Sequence, residues 1–279
     1  MPGAVARLFD AMAGAYEELE PWYEHFYRQL HAIVAAELGP PADGRRGRAL
    51  DAGCGTGFQT TLLERLGYAA HGLDLSAGLL GVARRRLPRA RLVLGDVEAL
   101  PYGDGSFDAV TCCGSTLSFV PHPARALGEL GRVLAPGGRL LLDVEHRWSL
   151  DLLWMAASAL TRDSLGYGVP ARALSRLFTP SADGVAVAYP DYGPLRLFRR
   201  GELGVMLRAA GLTPLRAWGL HSVTNVIPST VLHRPRLSRP LAAAYQALCA
   251  VDQALSCFAP ARWLANSLVI LARKETTSP

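Results

Sequence analysis

Three glycines at alternate positions, Gly53, Gly55 and Gly57, follow an apolar run that ends near Asp51. Glycine lets the chain turn sharply and lets a ligand lie against bare main chain. We predict that the run is a buried strand, that the glycines form a turn, and that a helix begins at about Phe58. Backbone N–H groups at such a helix start face a ligand in the turn. The carboxylate of Asp51 suits a cationic ligand.

Two more acids follow the next two predicted strands. Asp74 ends the strand Ala69–Asp74, about 20 residues beyond the glycines, where an acid can accept hydrogen bonds from ribose hydroxyls. Asp96 ends the strand Arg91–Asp96, although an acid there could instead cap a helix. Ser76 is a candidate N-cap for the following helix. Open α/β sheets bind ligands at the carboxyl ends of their strands, so these acids predict one ligand-binding edge.

The glycine segment resembles the first motif of class I S-adenosylmethionine (SAM)-dependent methyltransferases, in which an acid precedes such glycines. Asp96-Val97 resembles the adenine-binding turn of that family, and the Pro-Gly-Gly turn at residues 136–138 resembles another of its hallmarks. The chain is similar to the small-molecule members, including those of ubiquinone and menaquinone biosynthesis. Beyond residue 145 the resemblance thins.

The resemblance implies SAM as the cofactor, with its methionine end near Asp51 and Gly53, its ribose at Asp74 and its adenine at Asp96. An N-terminal tyrosine often closes over the cofactor in the family. The residues assigned to cofactor binding in this way are Tyr16, Asp51, Gly53, Cys54, Gly55, Gly57, Asp74, Leu75, Asp96, Val97, Cys112 and Cys113. Tyr16 could instead be an ordinary packing aromatic. The vicinal thiols could bind a metal or take part in redox chemistry, but small side chains suit a cofactor wall, and we expect no metal site.

Methyl transfer from a sulfonium is a direct displacement that depends mainly on position and orientation. A hydroxyl acceptor would need a general base. His146 follows predicted strand five, His221 follows strand six, and Glu145 is the third candidate. Each histidine could instead be a structural, hydrogen-bonded residue, and Glu145 could be the ion-pair partner of Arg147.

Two other functions remain open. A nicotinamide-dependent oxidoreductase can share this topology, but its fingerprint is G-x-G-x-x-G rather than the G-x-G-x-G found here. The second alternative is a SAM-binding protein without catalysis. The aromatic residues beyond position 145 suit a small, apolar or aromatic acceptor, whose identity and acceptor atom the sequence leaves open.

These residues require a sheet that brings strand ends together. Five strands alternate with helices, and strand five is predicted at Leu140–Val144. Strand six at Leu212–Leu220 and a last, antiparallel strand at Leu268–Ala272 complete the sheet. We expect an α/β fold with a doubly wound, mostly parallel seven-stranded sheet and helices on both faces. In the usual order of the resembled family, the last strand lies between strands five and six.

The chain divides into an N-terminal helical segment (1–38), a SAM-binding core (39–145), an inserted cap segment (146–195) and the end of the sheet (196–279). The last part contains a long helical insertion (222–266). We predict that the two insertions cover the ligand-binding edge, because long additions at such loops commonly build a pocket or its lid.

The composition excludes several classes of protein. The 279 residues include 29 basic and 24 acidic ones, a net charge of +5 without the aromatic-interleaved basic patch of nucleic-acid binders. Five cysteines without a C-x-x-C motif fit a reducing compartment. The first residues lack the pattern of a signal peptide, and no apolar run reaches the length of a spanning helix. We therefore expect a cytoplasmic protein, and its oligomeric state is open.

Overall fold

The computed structural model describes residues 2–14, 16, 21–41, 46–189, 193–234 and 236–276. The strands are β1 (Arg48–Ala52), β2 (Ala69–Asp74), β3 (Arg91–Leu94), β4 (Phe107–Cys112), β5 (Leu134–Glu145), β6 (Val185–Tyr189), β7 (Gly193–Leu197), β8 (Leu212–Leu220) and β9 (Ser267–Lys274). The α-helical segments are α1 (Pro2–Met12), α2 (Pro21–Leu38), α3 (Phe58–Arg65), α4 (Ala77–Arg86), α5 (Thr116–Phe119), α6 (Pro123–Val133), α7 (Asp151–Leu160), α8 (Ala171–Leu174), α9 (Arg200–Ala209), α10 (Ser229–Leu232), α11 (Arg239–Leu255) and α12 (Ala259–Leu264). Short 3₁₀ turns occupy Ser175–Phe178 and Thr224–Val226.

Seven strands form one sheet in the order β3-β2-β1-β4-β5-β9-β8. The pairs among β1 to β5 are parallel, whereas β9 pairs antiparallel with both β5 and β8. The predicted α/β fold with a mostly parallel seven-stranded sheet is therefore confirmed, as is the place of the last strand. In this order the carboxyl ends of β1, β2, β4 and β5 share one edge of the sheet.

The central strands are buried on both faces, which explains why their sequences are nearly continuous apolar runs. In β1, Ala49 to Ala52 are all buried. On one face β5 packs its leucines against α6 and α9, and on the other face the core includes α2. Ser76 caps α4 by accepting a hydrogen bond from the Leu79 N–H at 3.1 Å, as the sequence indicates.

Strand β5 is longer than the predicted Leu140–Val144. Its start is fixed by the pairing of Leu134 with Phe107 across a register shift, and its end by the pairing of Glu145 with Ser267. The neighbouring strands supply hydrogen-bond partners well beyond the apolar centre, so the strand continues through the Pro-Gly-Gly turn.

The segment after β5 has a small core of its own. Its hairpin of β6 and β7 forms a separate two-stranded sheet, of which β7 is absent from the sequence prediction. The buried residues of this core are Met155, Tyr167, Val169, Leu177, Val185, Val187, Leu195 and Leu197. Much of the apolar content of residues 146–195 is therefore internal packing.

In the described part of the chain, no helix combines the length and the apolar character needed to cross a membrane.

Candidate functional site

A cavity opens at the carboxyl ends of β1, β2 and β4 and is flanked by α1 and α2. Its walls consist of Val5, Phe9, Tyr16, Tyr27, Gly53, Cys54, Gly55, Thr56, Phe58, Gln59, Asp74, Leu75, Leu79, Gly95, Asp96, Val97, Cys113, Gly114, Thr116, Phe119, Val120 and Pro121. Most of the residues that the sequence assigns to cofactor binding thus share one cavity.

The glycine turn exposes bare main chain to this cavity. Gly53 and Gly55 have φ values of 79° and 52°, which side chains rarely tolerate. A Cβ on Gly53 would collide with the Oγ1 and Cγ2 atoms of Thr116. A small residue is therefore required at Gly53. The turn leaves room for a ligand that contacts the backbone directly.

Asp74 stands at the carboxyl end of β2 and holds the glycine turn. Its Oδ2 accepts a hydrogen bond from the Gly55 N–H at 2.8 Å, and its Oδ1 accepts one from the Ser76 N–H at 2.8 Å. Burial raises the pKa of this carboxyl, while the two backbone N–H groups lower it. Each oxygen keeps a lone pair that can accept from a ligand hydroxyl.

Asp96 and Val97 follow β3 and line the same cavity, as does Leu75 after β2. The Oδ1 of Asp96 accepts a hydrogen bond from the Glu98 N–H at 2.9 Å. This contact holds the short turn at residues 97–99, but no helix follows Asp96, so the helix N-cap considered as the alternative is not observed.

Gln59 is a wall residue that the sequence reasoning missed. It lies in the first turn of α3, is buried, and its Nε2 has no hydrogen-bond partner among the described residues. A buried donor without a partner is destabilising unless a ligand satisfies it. Nearby, Arg86 stacks 4.2 Å from the ring centroid of Phe58 and donates to the Thr56 carbonyl at 2.9 Å. The Gln59 amide can therefore donate to a ligand group that accepts hydrogen bonds, such as a carboxylate.

Aromatic side chains from the N-terminal segment close the opposite wall. The ring of Phe9 lies 5.2 Å from that of Phe119 and 6.3 Å from that of Tyr16, both in edge-to-face geometry. Burial, followed by the neighbouring Tyr16, raises the pKa of Tyr27 well above its usual value. Asp10 ties this segment to α4 by accepting a hydrogen bond from the Gly78 N–H at 2.8 Å. The first helix is therefore part of the site.

Three of the predicted cofactor residues lie outside the cavity wall. Asp51 is buried and accepts hydrogen bonds from Thr60 Oγ1 at 2.7 Å and Thr111 Oγ1 at 2.9 Å, and burial raises its pKa to about 6. Gly57 begins α3, and Cys112 is buried within β4. Cys113 does line the cavity, but burial raises the pKa of its thiol far above the usual value.

Glu145 lies directly behind the cavity wall. Its Oε1 accepts a hydrogen bond from Ser115 Oγ at 2.9 Å, and its Oε2 accepts one from Asn266 Nδ2 at 3.0 Å. Ser115 stands between two wall residues, Gly114 and Thr116. Burial raises the pKa of Glu145 to about 7, so the group can exchange a proton near neutral pH. Arg147 is not its partner, because that side chain pairs with Glu202 at 2.8 Å.

Both candidate histidines point elsewhere. The Nδ1 of His146 is 3.1 Å from the Ala265 carbonyl, and burial lowers its pKa. The Nδ1 of His221 is 3.0 Å from Thr224 Oγ1, and its ring stacks on Phe26 with 6.3 Å between centroids. Neither residue lines the cavity. These contacts support the structural alternative for both histidines.

The other wall residues that the sequence analysis did not predict were missed for a common reason. Tyr27, Gln59, Thr116 and Phe119 carry no motif, because their spacing in the sequence is that of ordinary helix residues. Only the strand order, which places α2, α3 and α5 around the glycine turn, brings them together. The one available signal was position, since α3 and α5 each follow a strand end.

The sequence matches known proteins over its central part. The profile of a family described as "Methyltransferase domain" matches residues 50–142. The demethylmenaquinone methyltransferase of Clavibacter sepedonicus is 37% identical over 144 residues, which are 50% of this chain and 58% of that protein. The malonyl-[acyl-carrier protein] O-methyltransferase of Serratia marcescens is 33% identical over 54% of this chain and 56% of that protein. The matches thus span little more than half the length of these relatives.

A solved structure extends the similarity of fold to the whole chain. The 1,6-didemethyltoxoflavin-N1-methyltransferase of Burkholderia thailandensis, solved with S-adenosylhomocysteine, superposes with a TM-score of 0.53. The superposition covers 99% of this chain and 91% of that one at 19% identity, so it shows the fold alone. Residues 50–142 thus match a methyltransferase domain, and the whole chain shares the fold of a solved methyltransferase.

Proposed function

We propose that this protein transfers a methyl group from SAM to a small, apolar or aromatic acceptor. The observation that carries the proposal is the single cavity in which the glycine turn, Asp74 and Asp96-Val97 meet. Each of these groups suits a different part of SAM. The match of residues 50–142 to a methyltransferase domain supports methyl transfer as the reaction.

The wall residues fit the cofactor chemically. Asp74 would accept hydrogen bonds from the ribose hydroxyls, and Asp96 would accept one from the adenine amino group while Val97 faces the ring. The unpartnered Nε2 of Gln59 would donate to the methionine carboxylate, beside bare main chain at Gly53. An orphaned donor and a turn without side chains are features that a bound ligand explains.

When bound, SAM supplies an electrophilic methyl group. The chain contributes position and orientation, which can account for a large share of such a rate enhancement. Tyr16, Tyr27 and Phe9 would exclude water from the reacting groups. Glu145, with a pKa of about 7, would accept the proton of a hydroxyl or ring acceptor through the hydroxyl of Ser115, because its carboxylate lies behind the cavity wall. Asp51 would act through the backbone, because it anchors the strand end beside Thr60 and Thr111.

The acceptor proposal follows from the apolar lining at the aromatic end of the cavity, near Phe9, Tyr27, Phe119 and Val120. Two of the relatives are named as methyltransferases of demethylmenaquinone and of malonyl-[acyl-carrier protein]. A flat, apolar ring fits the aromatic wall better than a carboxylate does. We therefore favour a quinone-like or heteroaromatic acceptor.

The two insertions, residues 146–195 and 222–266, would pack against the outer side of the aromatic cavity wall. No residue of 146–276 in the described part of the chain lines the cavity. However, Phe119 packs against the core of the 146–195 segment, and Arg196 donates to the Pro121 carbonyl at 3.1 Å. Trp154 in turn donates to the Asn225 carbonyl at 3.0 Å, which links the two insertions. We propose that they support the acceptor wall as a cap.

Calorimetry with SAM, S-adenosylhomocysteine and a nicotinamide dinucleotide tests the cofactor. Saturable binding of the first two alone supports the proposal, and selective binding of the dinucleotide overturns it. Mass spectrometry of reactions with a panel of quinones and heteroaromatic compounds then tests catalysis. Binding of SAM without turnover of any compound would favour the non-catalytic alternative.

A further inference from the structure

Two helical segments expose large apolar side chains on the outer side of the molecule. In α7, Leu153 and Leu160 are 67% and 80% exposed, and they are seven residues apart and thus on one face of the helix. Around α12, Phe258, Trp263 and Leu264 are 56%, 59% and 45% exposed. We call these five residues the apolar surface.

The surroundings of these side chains carry almost no charge. Between Leu150 and Thr161 the only charged residue is Asp151, and between Pro240 and Leu264 the charged residues are Asp252 and Arg262. Arg262 is half-buried and donates a hydrogen bond to the Ala217 carbonyl at 2.9 Å. Both acids are buried and hydrogen-bonded inside the protein. Helices at a protein surface normally place charged or polar residues on their solvent side, so these exposed faces are unusual.

The two segments are neighbours in the fold. The Leu150 N–H, at the start of α7, donates a hydrogen bond to the Leu264 carbonyl, at the end of α12, at 3.2 Å. Leu153 and Trp263 therefore lie close to one contact between the helices. A contiguous apolar area on a protein surface commonly marks an interaction site.

The charge of the chain is concentrated in the same region. Residues 146–266 contain 13 arginines and six acids, a net charge of +7, whereas the other residues sum to −2 against the total of +5. Exposed arginines flank the apolar surface, with Arg162 two residues beyond Leu160 and Arg172 in α8, which packs against α7. An uncharged apolar centre with a basic rim is complementary to an anionic lipid surface.

We propose that the apolar surface docks the protein on an anionic lipid bilayer. The leucines and aromatic rings would enter the boundary between headgroups and acyl chains, and the arginines would bind lipid phosphates. Trp263 has the amphipathic ring that is enriched at this depth. An acidic protein partner could pair with the arginines. Its remaining carboxylates would then face the apolar surface, whose five side chains include no cation to pair with them. The inference does not depend on the transferred group, because it concerns the outer side of residues 146–266.

Sedimentation of the full chain with vesicles tests the proposal. We expect binding to phosphatidylcholine–phosphatidylglycerol vesicles, much weaker binding to phosphatidylcholine alone, and a blue shift of tryptophan emission. The double variant Leu160→Ser/Trp263→Ser should lose at least about tenfold in vesicle binding, because it removes two apolar side chains that would be buried in the bilayer. Arg162→Gln and Arg172→Gln should each lose roughly fivefold.

The matched control is Val205→Ser/Leu215→Ser, which replaces two exposed apolar residues on other elements. It should bind vesicles like the unmodified chain, and thermal melts should show both double variants folded. Equal vesicle binding by the two double variants would overturn the proposal. So would sedimentation velocity showing a dimer that only Leu160→Ser/Trp263→Ser dissociates, since the surface would then join two copies of the chain.

Discussion

The carboxylate of Asp74 accepts the N–H of Gly55 at 2.8 Å, although the two residues are 19 positions apart in the sequence. This hydrogen bond fastens the glycine turn after β1 to the end of β2. The residue proposed to bind the ribose therefore also shapes the turn that receives the methionine part. Cofactor affinity and local structure are coupled at this point.

We predict that Asp74→Ala weakens SAM binding by about 5- to 150-fold, because hydrogen bonds to a charged group contribute about 1–3 kcal/mol. Calorimetry with S-adenosylhomocysteine measures the change. Asp108→Ala is the matched control, since Asp108 likewise accepts a backbone N–H, that of Arg48 at 2.8 Å, but lies outside the cavity wall. It should lower stability by about 1 kcal/mol and leave the dissociation constant nearly unchanged. An unchanged constant for Asp74→Ala would exclude its assigned role.

We predict opposite effects for two glycine-to-alanine substitutions. Gly53→Ala places a Cβ against Thr116 at a positive φ, so it should destabilise the protein by more than about 1 kcal/mol and abolish cofactor binding. Gly128 lies inside α6 with no atom near its missing Cβ. Gly128→Ala should therefore stabilise by about 0.5–1 kcal/mol. Urea denaturation measures the free energy of unfolding of both variants. Equal changes in the two would contradict the conclusion that the turn requires glycine at position 53.

We predict that Glu145→Gln lowers turnover by about 10²- to 10⁴-fold, the usual effect of losing a general base, with SAM affinity retained. The pKa of about 7 means that the unmodified enzyme should lose rate as the pH falls below 7, and the variant should lose that dependence. His146→Gln and His221→Gln should keep the inflection. A profile of Glu145→Gln that still bends near pH 7 would assign the base elsewhere.

We predict that the free energy of unfolding falls as the pH rises from about 4 to 6. Burial raises the pKa of Asp51 from 3.8 to about 6, so the folded state binds a proton there that the unfolded state does not. Stability from this group is fully present below pH 4 and is lost through pH 6. The loss is up to about 3 kcal/mol for a shift of this size. Asp51→Asn should reduce the slope of this part of the curve but not abolish it, because burial also raises the pKa of Asp143 to about 6, whereas the exposed Asp104→Asn should leave the slope unchanged.

We predict that Glu202→Ala destabilises the protein by about 3–5 kcal/mol, because it leaves the fully buried guanidinium of Arg147 without its partner. Glu202 also accepts a hydrogen bond from the Arg199 N–H at 3.0 Å at the start of α9. The double variant Arg147→Met/Glu202→Gln should be clearly less destabilised, since no charge is left buried. Urea denaturation of the three proteins measures this, and a loss below about 1 kcal/mol in Glu202→Ala would refute the account.

The sequence by itself determined the sheet and one edge of the cavity. Buried parallel strands need continuous apolar runs, and their ends need turn residues, so the pattern located strand ends at Asp51 and Asp74. It also gave the bounds of β8 correctly as Leu212–Leu220. Ser76 was identifiable as a cap because its hydrogen bond is local. These features depend on residues within a few positions of each other.

Only the tertiary structure decided where the side chains at those strand ends point. His146 follows β5 as predicted, yet it turns to the carbonyl of Ala265, 119 positions away. Arg147 likewise forms its ion pair with Glu202 rather than with Glu145, which is close to it in the sequence. Strand ends bring residues to a common edge, but the packing of distant elements against that edge determines which of them meet the cavity. No local pattern encodes such contacts, and for this reason Gln59, Tyr27 and the exposed faces of α7 and α12 emerged only in three dimensions.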